Sequence, residues 1–205
     1  GSTGVTTWII GSKLYTAAVG DSRIYLMRND SLRQISIDHT WVQEAIEHDI
    51  IQPDQARDHP QAHVLRRYIG AQKQTEPDLR LRLMPNESDK QSEANQGLVL
   101  QNNDVLLLCT DGLTDLVEDH EIQQVLTKNK PVQAVEHLTD MALGRGGYDN
   151  ITIVILEVPQ TMEKVISNRK RFTRLMIWIV SLLGLGFLIG LGLAFIWSLG
   201  IWPWS

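Results

Sequence analysis

The chain has 205 residues, of which 24 are acidic and 19 are basic, and it contains one cysteine. This length suits one domain of ordinary size with an appendage. All the acidic residues lie within positions 1–163, where 14 basic residues leave a net charge of −10. A domain this acidic argues against nucleic acid as the main partner, and the single Cys109 excludes an internal disulfide.

The first 35 residues have the pattern of short neighbouring strands. Apolar runs are separated by glycine, asparagine, aspartate and serine, and they cover 5–10, 14–19, 23–27 and 32–35. This spacing predicts an antiparallel meander. Because the chain starts without Met and enters the first strand at once, we expect it to be the C-terminal part of a longer protein.

The next segment changes from strand to helical periodicity. Apolar residues recur at helical spacing over 40–49, with Thr40 as a predicted N-cap. Residues 50–63 are polar and rich in turn formers. We predict an irregular excursion there, with one short helix that starts after Pro53.

After this excursion, the sequence pattern predicts a strand, a loop and, further along, two helices. The strand is predicted over 80–84, and the polar stretch 85–96 is predicted to be a surface loop because it lacks periodicity. Asp119 is the predicted cap of a helix that runs to about Lys128. Pro131 is predicted to open the second helix, which carries apolar residues on one face.

An apolar run that ends in an acidic turn occupies residues 106–115. The run is long enough for a strand buried on both faces, and Asp111 and Gly112 follow it directly. A carboxylate held where the backbone bends is a suitable ligand for a hard divalent cation. The alternative is an ordinary turn, since aspartate and glycine are also common turn residues.

Two further acidic turns lie beside predicted strands. Asp21 follows the strand that ends at Val19, and Asp149 comes just before an apolar strand over 151–156. If these strands share a sheet with the run before Asp111, the ends of the strands bring three carboxylates together at one edge of that sheet. Such a group would bind a divalent cation without histidine or thiolate, although each aspartate taken alone is also explained as a cap or turn residue.

The C-terminal region is predicted to anchor the chain in a membrane. Residues 175–197 contain no charged side chain and, as a helix, are long enough to span a bilayer. A buried core helix is the alternative, but one without a polar face is unusual in a domain of this size. We therefore predict a basic juxtamembrane linker over 159–174, a transmembrane helix over 175–197 and a short tail over 198–205.

Charge and small residues near this helix suggest its orientation and a packing face. The basic residues just before the helix are Arg169, Lys170, Arg171 and Arg174. Because positive charge stays cytoplasmic, we expect a single-pass cell-membrane protein whose folded domain faces the cytoplasm; a secreted domain would require the opposite orientation. Small residues four apart could pack two such helices into a dimer, and they are Gly186, Gly190 and Ala194.

Several motifs together resemble the metal-dependent serine/threonine phosphatases of the protein phosphatase 2C type. Three of them occur in the family's order, and they are Gly20-Asp21-Ser22-Arg23, Cys109-Thr110-Asp111-Gly112-Leu113-Thr114-Asp115 and Gly146-Gly147-Tyr148-Asp149-Asn150-Ile151-Thr152. Residues 38–44, 59–61 and 64–70 resemble the bacterial branch in particular. The resemblance extends over about residues 2–158.

The resemblance implies a fold and a metal site. The fold is of the α+β class, a four-layer α/β/β/α sandwich, of which residues 1–158 would be the C-terminal part without the first strands. Asp111 and Asp149 would be ligands of a catalytic pair of Mn²⁺ or Mg²⁺ ions, and Asp21 would hold a third ion together with Asp111. Gly112 and Asn150 would keep these ligands in place.

The implied activity is hydrolysis of phosphoserine and phosphothreonine in proteins, with serine/threonine kinase substrates as partners. Bound cations would activate water for in-line attack and offset charge on the phosphoryl oxygens. Residues 40–67 would form the flap beside the site, where His63, Arg66 and Arg67 are the candidates for substrate contact.

One departure from the family limits this expectation. The Asp-Gly-x-Gly-Gly motif, which in the family supplies a bridging carboxylate, is not in the sequence. We therefore expect the 205-residue chain to be an inactive fragment of an enzyme. The alternative is a non-catalytic pseudophosphatase, or a membrane-anchored module that binds phosphoproteins.

Overall fold

The computed structural model describes residues 1–72, 75–160 and 178. The chain divides into two units, Gly1–Pro159 and Gln160–Ser205. Apart from residues 159, 160 and 178, the predicted linker, transmembrane helix and tail lie outside the described residues. Among the residues that are described, no helix is long and apolar enough to cross a membrane.

The described part of the chain contains strands and helices in mixed order. The strands are β1 (Gly4–Ile10), β2 (Lys13–Val19), β3 (Arg23–Arg28), β4 (Ser31–Gln34), β5 (Leu98–Val99), β6 (Val105–Cys109) and β7 (Ile153–Glu157). The α-helices are α1 (Trp41–Glu47), α2 (Asp89–Ala94), α3 (Asp111–Thr114), α4 (Asp119–Lys128) and α5 (Pro131–Gly144), and a 3₁₀ helix covers Pro53–Gln55. The strands form two antiparallel sheets, of order β1-β2-β5 and β4-β3-β6-β7.

The predicted single meander is wrong at one connection. β1 pairs with β2 and β3 pairs with β4, but β2 and β3 lie in different sheets. The chain crosses between the sheets over residues 20–22, where Gly20 has a φ of +102°. A side chain there would collide with that of Thr3, so glycine permits the crossing that separates the two hairpins.

The strand predicted ahead of Asp111 is confirmed and lies inside the second sheet. β6 pairs with β3 on one side and with β7 on the other. Leu106 and Leu107 point to opposite faces and both are fully buried. β7 was predicted to be buried, but it is an edge strand, and Val154 and Leu156 remain 45% and 40% exposed on one of its faces.

One face of the second sheet packs against α4 and α5. Tyr25 and Leu107 from the sheet join Ile122 of α4 and Leu138 of α5 in one core cluster. The apolar face predicted for the helix from Pro131 is confirmed. α4 begins after Glu118, which forms a capping box with Glu121, so the predicted cap at Asp119 is off by one residue.

The opposite face of the second sheet is also buried. Ile24 and Leu106 alternate with the residues that face the helices, and both have no exposed surface. Leu14 and Ala18 on one face of β2 are buried as well. Each of the two sheets therefore has at least one buried face.

The middle of the chain departs from the sequence prediction in two places. Residues 80–84 do not form a strand, and the predicted loop 85–96 contains α2. The signal for α2 was local, because Ser88 and Gln91 form a capping box. The helix after Thr40 is confirmed, since the Gln43 amide donates to the Thr40 hydroxyl at 3.3 Å, and so is the short helix at Pro53.

Candidate metal centre

Asp21 lies at the crossing between the sheets and is a buried carboxyl group. Its exposed fraction is 9%. Burial, the negative charge of Asp111 and smaller effects of Asp38 and Asp115 together raise its pKa from 3.8 to about 6, with burial the largest cause. In the described part of the chain, neither Asp21 nor Asp111 forms an ion pair with a basic residue. A bound cation would relieve this repulsion.

Thr110 connects the turn of Asp111 to the turn of Asp149. Its hydroxyl donates to the Asn150 carbonyl oxygen at 3.0 Å and accepts from the Thr152 amide at 3.0 Å. The Thr110 amide donates to the Thr152 carbonyl oxygen at 3.2 Å. The two acidic turns are therefore held side by side at the end of β6 and the start of β7.

Gly112 and Asn150 form the contact between the same two turns. A Cβ atom on Gly112 would lie 2.6 Å from the Asn150 carbonyl oxygen, so a larger residue would push the turns apart. Asp111 accepts from the Gly112 amide at 2.9 Å, and Asp149 accepts from the Asn150 amide at 2.6 Å. Each amide orients the preceding carboxylate, and the supporting role of both residues at a metal site stays a prediction.

The described residues fit divalent cations in chemistry but do not complete a site. Carboxylate oxygens are the ligands that Mn²⁺ and Mg²⁺ prefer. Within residues 1–72 and 75–160, however, no three histidine, cysteine, aspartate or glutamate side chains lie close enough together to hold a metal ion. The assignment of Asp21, Asp111 and Asp149 as ligands therefore remains a prediction.

Two more acidic residues lie near Asp21, and the sequence reasoning did not include them. Asp115 follows Asp111 by one helical turn, and its amide donates to the Asp111 carbonyl oxygen at 2.8 Å. Burial and the charge of Asp111 raise the pKa of Asp115, against the opposing effect of His63. Asp38 forms an ion pair with Arg23, whose Nη2 lies 2.7 Å from Asp38 Oδ2. The four-residue spacing from Asp111 was the available signal for Asp115.

The flap contacts the segment that follows Asp111 through His63, which was a predicted site residue, and through Arg57, which was not. His63 Nδ1 lies 3.3 Å from Asp115 Oδ2. The Arg57 guanidinium donates to the carbonyl oxygens of Thr114 and Asp115 at 3.2 and 2.9 Å, a contact between segments more than 50 residues apart that local sequence patterns do not reveal.

The other two flap candidates have partners away from this turn. Arg66 pairs with Glu44 at 2.8 Å, and Arg67 lies 4.0 Å from Asp78. Neither pair involves Asp21, Asp111 or Asp149. A role of His63, Arg66 and Arg67 in substrate contact therefore stays a prediction.

The amino-acid sequence is similar to those of protein phosphatases. A family model described as protein phosphatase 2C matches residues 1–45. The chain is 34% identical over 158 residues to the serine/threonine protein phosphatase PstP of Mycobacterium tuberculosis, a match over 77% of this chain and 27% of PstP. It is 32% identical over 158 residues to the serine/threonine phosphatase stp of Listeria innocua, over 77% of this chain and 56% of that protein.

Solved structures show the same similarity in three dimensions. The crystal structure of the M. tuberculosis phosphatase PstP/Ppp matches with a TM-score of 0.64 and 32% identity, over 77% of this chain and 60% of that chain. The catalytic domain of PstP in complex with two manganese ions matches with a TM-score of 0.60 and 30% identity, over 76% of this chain and 58% of that chain.

The fold is the mixed α/β phosphatase fold with two antiparallel sheets. The chain is homologous to the bacterial serine/threonine phosphatases of the protein phosphatase 2C type, which supports the resemblance seen in its motifs. It spans about a quarter of the length of PstP and a little over half of the length of stp.

Proposed function

We propose that this chain is part of a Mn²⁺- or Mg²⁺-dependent phosphatase that hydrolyses phosphoserine and phosphothreonine in proteins. The observation that carries the proposal is the buried carboxyl group of Asp21, which has no basic partner among the described residues and whose pKa is raised to about 6, mainly by burial and by the charge of Asp111. A buried carboxylate beside a second one costs stability unless a cation is bound. The names of the homologous proteins PstP and stp, both serine/threonine phosphatases, support the same reaction.

Each carboxylate has a role in this proposal. Asp111 and Asp149 would hold the catalytic pair of cations, and Asp21 with Asp111 would hold a third. When bound, the cations activate water and offset charge on the phosphoryl oxygens. The chain's own contribution is orientation, because the Gly112 and Asn150 amides aim the Asp111 and Asp149 carboxylates.

The incomplete ligand set among the described residues bears on activity. Because no three potential ligands there converge closely enough for a metal ion, we propose that the 205-residue chain alone does not turn over a phosphopeptide. Turnover by this purified chain with added Mn²⁺ would contradict that statement. The same incompleteness favours the second candidate, a phosphoprotein-binding module without catalysis.

Hydrolysis by the polypeptide that the whole gene encodes separates these two candidates. With a phosphothreonine peptide and Mn²⁺, we expect Asp111→Asn and Asp149→Asn each to lower kcat/KM by at least about a hundredfold, since each removes a proposed ligand. Asp140→Asn is the matched control, because Asp140 is an exposed residue on α5. Rates that are unchanged in both site variants would rule out the proposed centre, and no activity in the parent protein would favour the binding module.

We further propose that the protein is anchored at the cytoplasmic face of the cell membrane by residues 175–197. The support is the uncharged stretch together with the basic residues before it. The folded domain would then act on phosphorylated proteins beside the bilayer. Extraction of the protein from membranes by alkaline carbonate would contradict this anchor.

Helix pairing through the small residues is part of the same proposal. The face formed by Gly186, Gly190 and Ala194 would allow two membrane helices to approach closely. Replacement of Gly190 by isoleucine should then weaken detergent-resistant dimers, and dimers unaffected by it would contradict this pairing.

A further inference from the structure

His39 holds the backbone of Gly20, the residue before Asp21, from two sides. The Gly20 amide donates to His39 Nδ1 at 3.0 Å. The His39 amide in turn donates to the Gly20 carbonyl oxygen at 2.9 Å. Both backbone polar groups of Gly20 are thus satisfied by a single residue, which is 4% exposed.

The hydrogen bonds assign the tautomer of His39. An amide can only donate, so Nδ1 must be the unprotonated acceptor. Nε2 then carries the proton and donates to Asp78 Oδ2, 3.0 Å away. The ring is therefore neutral and oriented at both nitrogens.

Asp78 is itself fixed to the end of β2. Its amide and carbonyl oxygen exchange hydrogen bonds of 2.8 and 3.0 Å with those of Ala18, and Arg80 Nη2 lies 2.6 Å from its carboxylate. Burial opposes ionisation of Asp78, but the hydrogen bonds from His39 and Arg80 outweigh it and hold its pKa well below the usual range. A charged, anchored acceptor thus fixes the His39 ring.

Gly20 needs this external support because of its conformation. Its φ of +102° is open to glycine and strained for other residues, and the Thr3 side chain occupies the position that its own Cβ would fill. Glycine adds no side chain that could restrict the turn. The two hydrogen bonds to His39 therefore restrain the backbone directly before Asp21.

We propose that His39 is a positioning residue for Asp21: its ring, which Asp78 orients, fixes the backbone of Gly20 so that the Asp21 carboxylate points at the cation it shares with Asp111. This inference rests on the proposed assignment of Asp21 as a metal ligand. Residues that orient metal ligands in this way commonly change metal affinity 10–100-fold when they are replaced.

Two substitutions of His39 separate its two hydrogen bonds. In His39→Asn the amide oxygen can take the place of Nδ1 and accept from Gly20, whereas in His39→Gln the amide nitrogen can take the place of Nε2 and donate only to Asp78. We expect His39→Gln to weaken Mn²⁺ binding at the Asp21 site about tenfold, and His39→Asn to stay within about threefold of the parent protein. Hydrogen exchange of the Gly20 amide in EDTA should be faster in His39→Gln alone.

The same substitutions in an Asp21→Asn background distinguish positioning from general stability. The protein used is the polypeptide encoded by the whole gene, titrated with Mn²⁺ and monitored by the electron paramagnetic resonance of the free ion. We define the Asp21 site as the Mn²⁺ binding that is lost in the Asp21→Asn variant. If His39 acts through Asp21, His39→Gln should cause no further loss of Mn²⁺ affinity in this background.

Three results would overturn the inference: equal effects of the two His39 variants, the same loss of affinity with and without Asp21, or no Mn²⁺ binding that depends on Asp21. Phosphopeptide hydrolysis is measured in parallel. If the protein hydrolyses the phosphopeptide but the effect of His39→Gln does not depend on Asp21, the positioning role is wrong and the proposed function stands. If the effect depends on Asp21 but no hydrolysis occurs, the positioning role stands and the proposed function is wrong.

Discussion

The hydroxyl group of Thr110 donates a hydrogen bond to the backbone carbonyl oxygen of Asn150 at 3.0 Å. These residues are 40 positions apart, and each lies beside an aspartate that is a candidate metal ligand. The same hydroxyl accepts from the Thr152 amide at 3.0 Å. This side chain therefore contributes two of the hydrogen bonds that hold the Asp111 and Asp149 turns together, and its removal should affect both stability and metal binding.

Thr110→Val keeps the shape of the side chain and removes its hydroxyl. Two hydrogen bonds are lost, so we expect the free energy of unfolding to fall by about 1–2 kcal/mol and Mn²⁺ binding to weaken. Urea denaturation and Mn²⁺ titration measure the two effects. Thr110→Ser keeps the hydroxyl and is the control; if it behaves like Thr110→Val, the hydroxyl is not the cause.

Gly112→Ala should be destabilising for a different reason. The new Cβ would lie 2.6 Å from the Asn150 carbonyl oxygen, and relief of such a contact by backbone movement costs about 1–3 kcal/mol. Gly144→Ala is the matched control, because no atom lies within 4 Å of the position of its Cβ, and alanine in a helix should be neutral or stabilising by up to about 1 kcal/mol. Thermal unfolding of the two variants compares them directly, and equal melting temperatures would show that the two turns can separate freely.

Asp21 should make the stability of the metal-free protein depend on pH. Its pKa is about 6 in the folded protein, compared with the ordinary value of 3.8. The folded state therefore binds the proton more tightly, so stability rises as the pH falls from about 6 to about 4, and above pH 6 ionised Asp21 costs on the order of 3 kcal/mol.

Asp21→Asn tests this dependence with EDTA present. The variant should be more stable than the parent chain at pH 7.5 and equally stable near pH 3.5, as measured by urea denaturation across this range. Asp140→Asn, on the exposed face of α5, controls for the loss of one negative charge. A parent chain and Asp21→Asn variant with the same pH profile would contradict the raised pKa.

Arg57→Ala should loosen the flap. The Arg57 guanidinium binds the carbonyl oxygens of Thr114 and Asp115, and these bonds connect the flap to the acidic turn. We expect limited proteolysis within residues 50–63 to become several-fold faster. Arg33→Ala, at an exposed arginine on β4, should cleave at the parent rate, and a similar increase there would point to general destabilisation.

The sequence by itself determined most of the local structure and the family resemblance. The buried strand before Asp111, the helix from Pro131 and the cap at Thr40 depend on residue spacing within a few turns or strand repeats, and such spacing can be read along the chain. The three acidic motifs were recognisable in the same way. α2 was not predicted, although the residues of its capping box are a local signal that the sequence contains.

Only the tertiary structure decided which segments meet. The separation of β2 from β3 depends on packing at Gly20, and the raised pKa of Asp21 depends on burial and on the charge of Asp111, 90 residues away in sequence. The contacts of Arg57 and the support of Gly20 by His39 likewise join distant segments. Electrostatic and hydrogen-bond energies depend on distance in space, and spacing along the chain does not specify that distance.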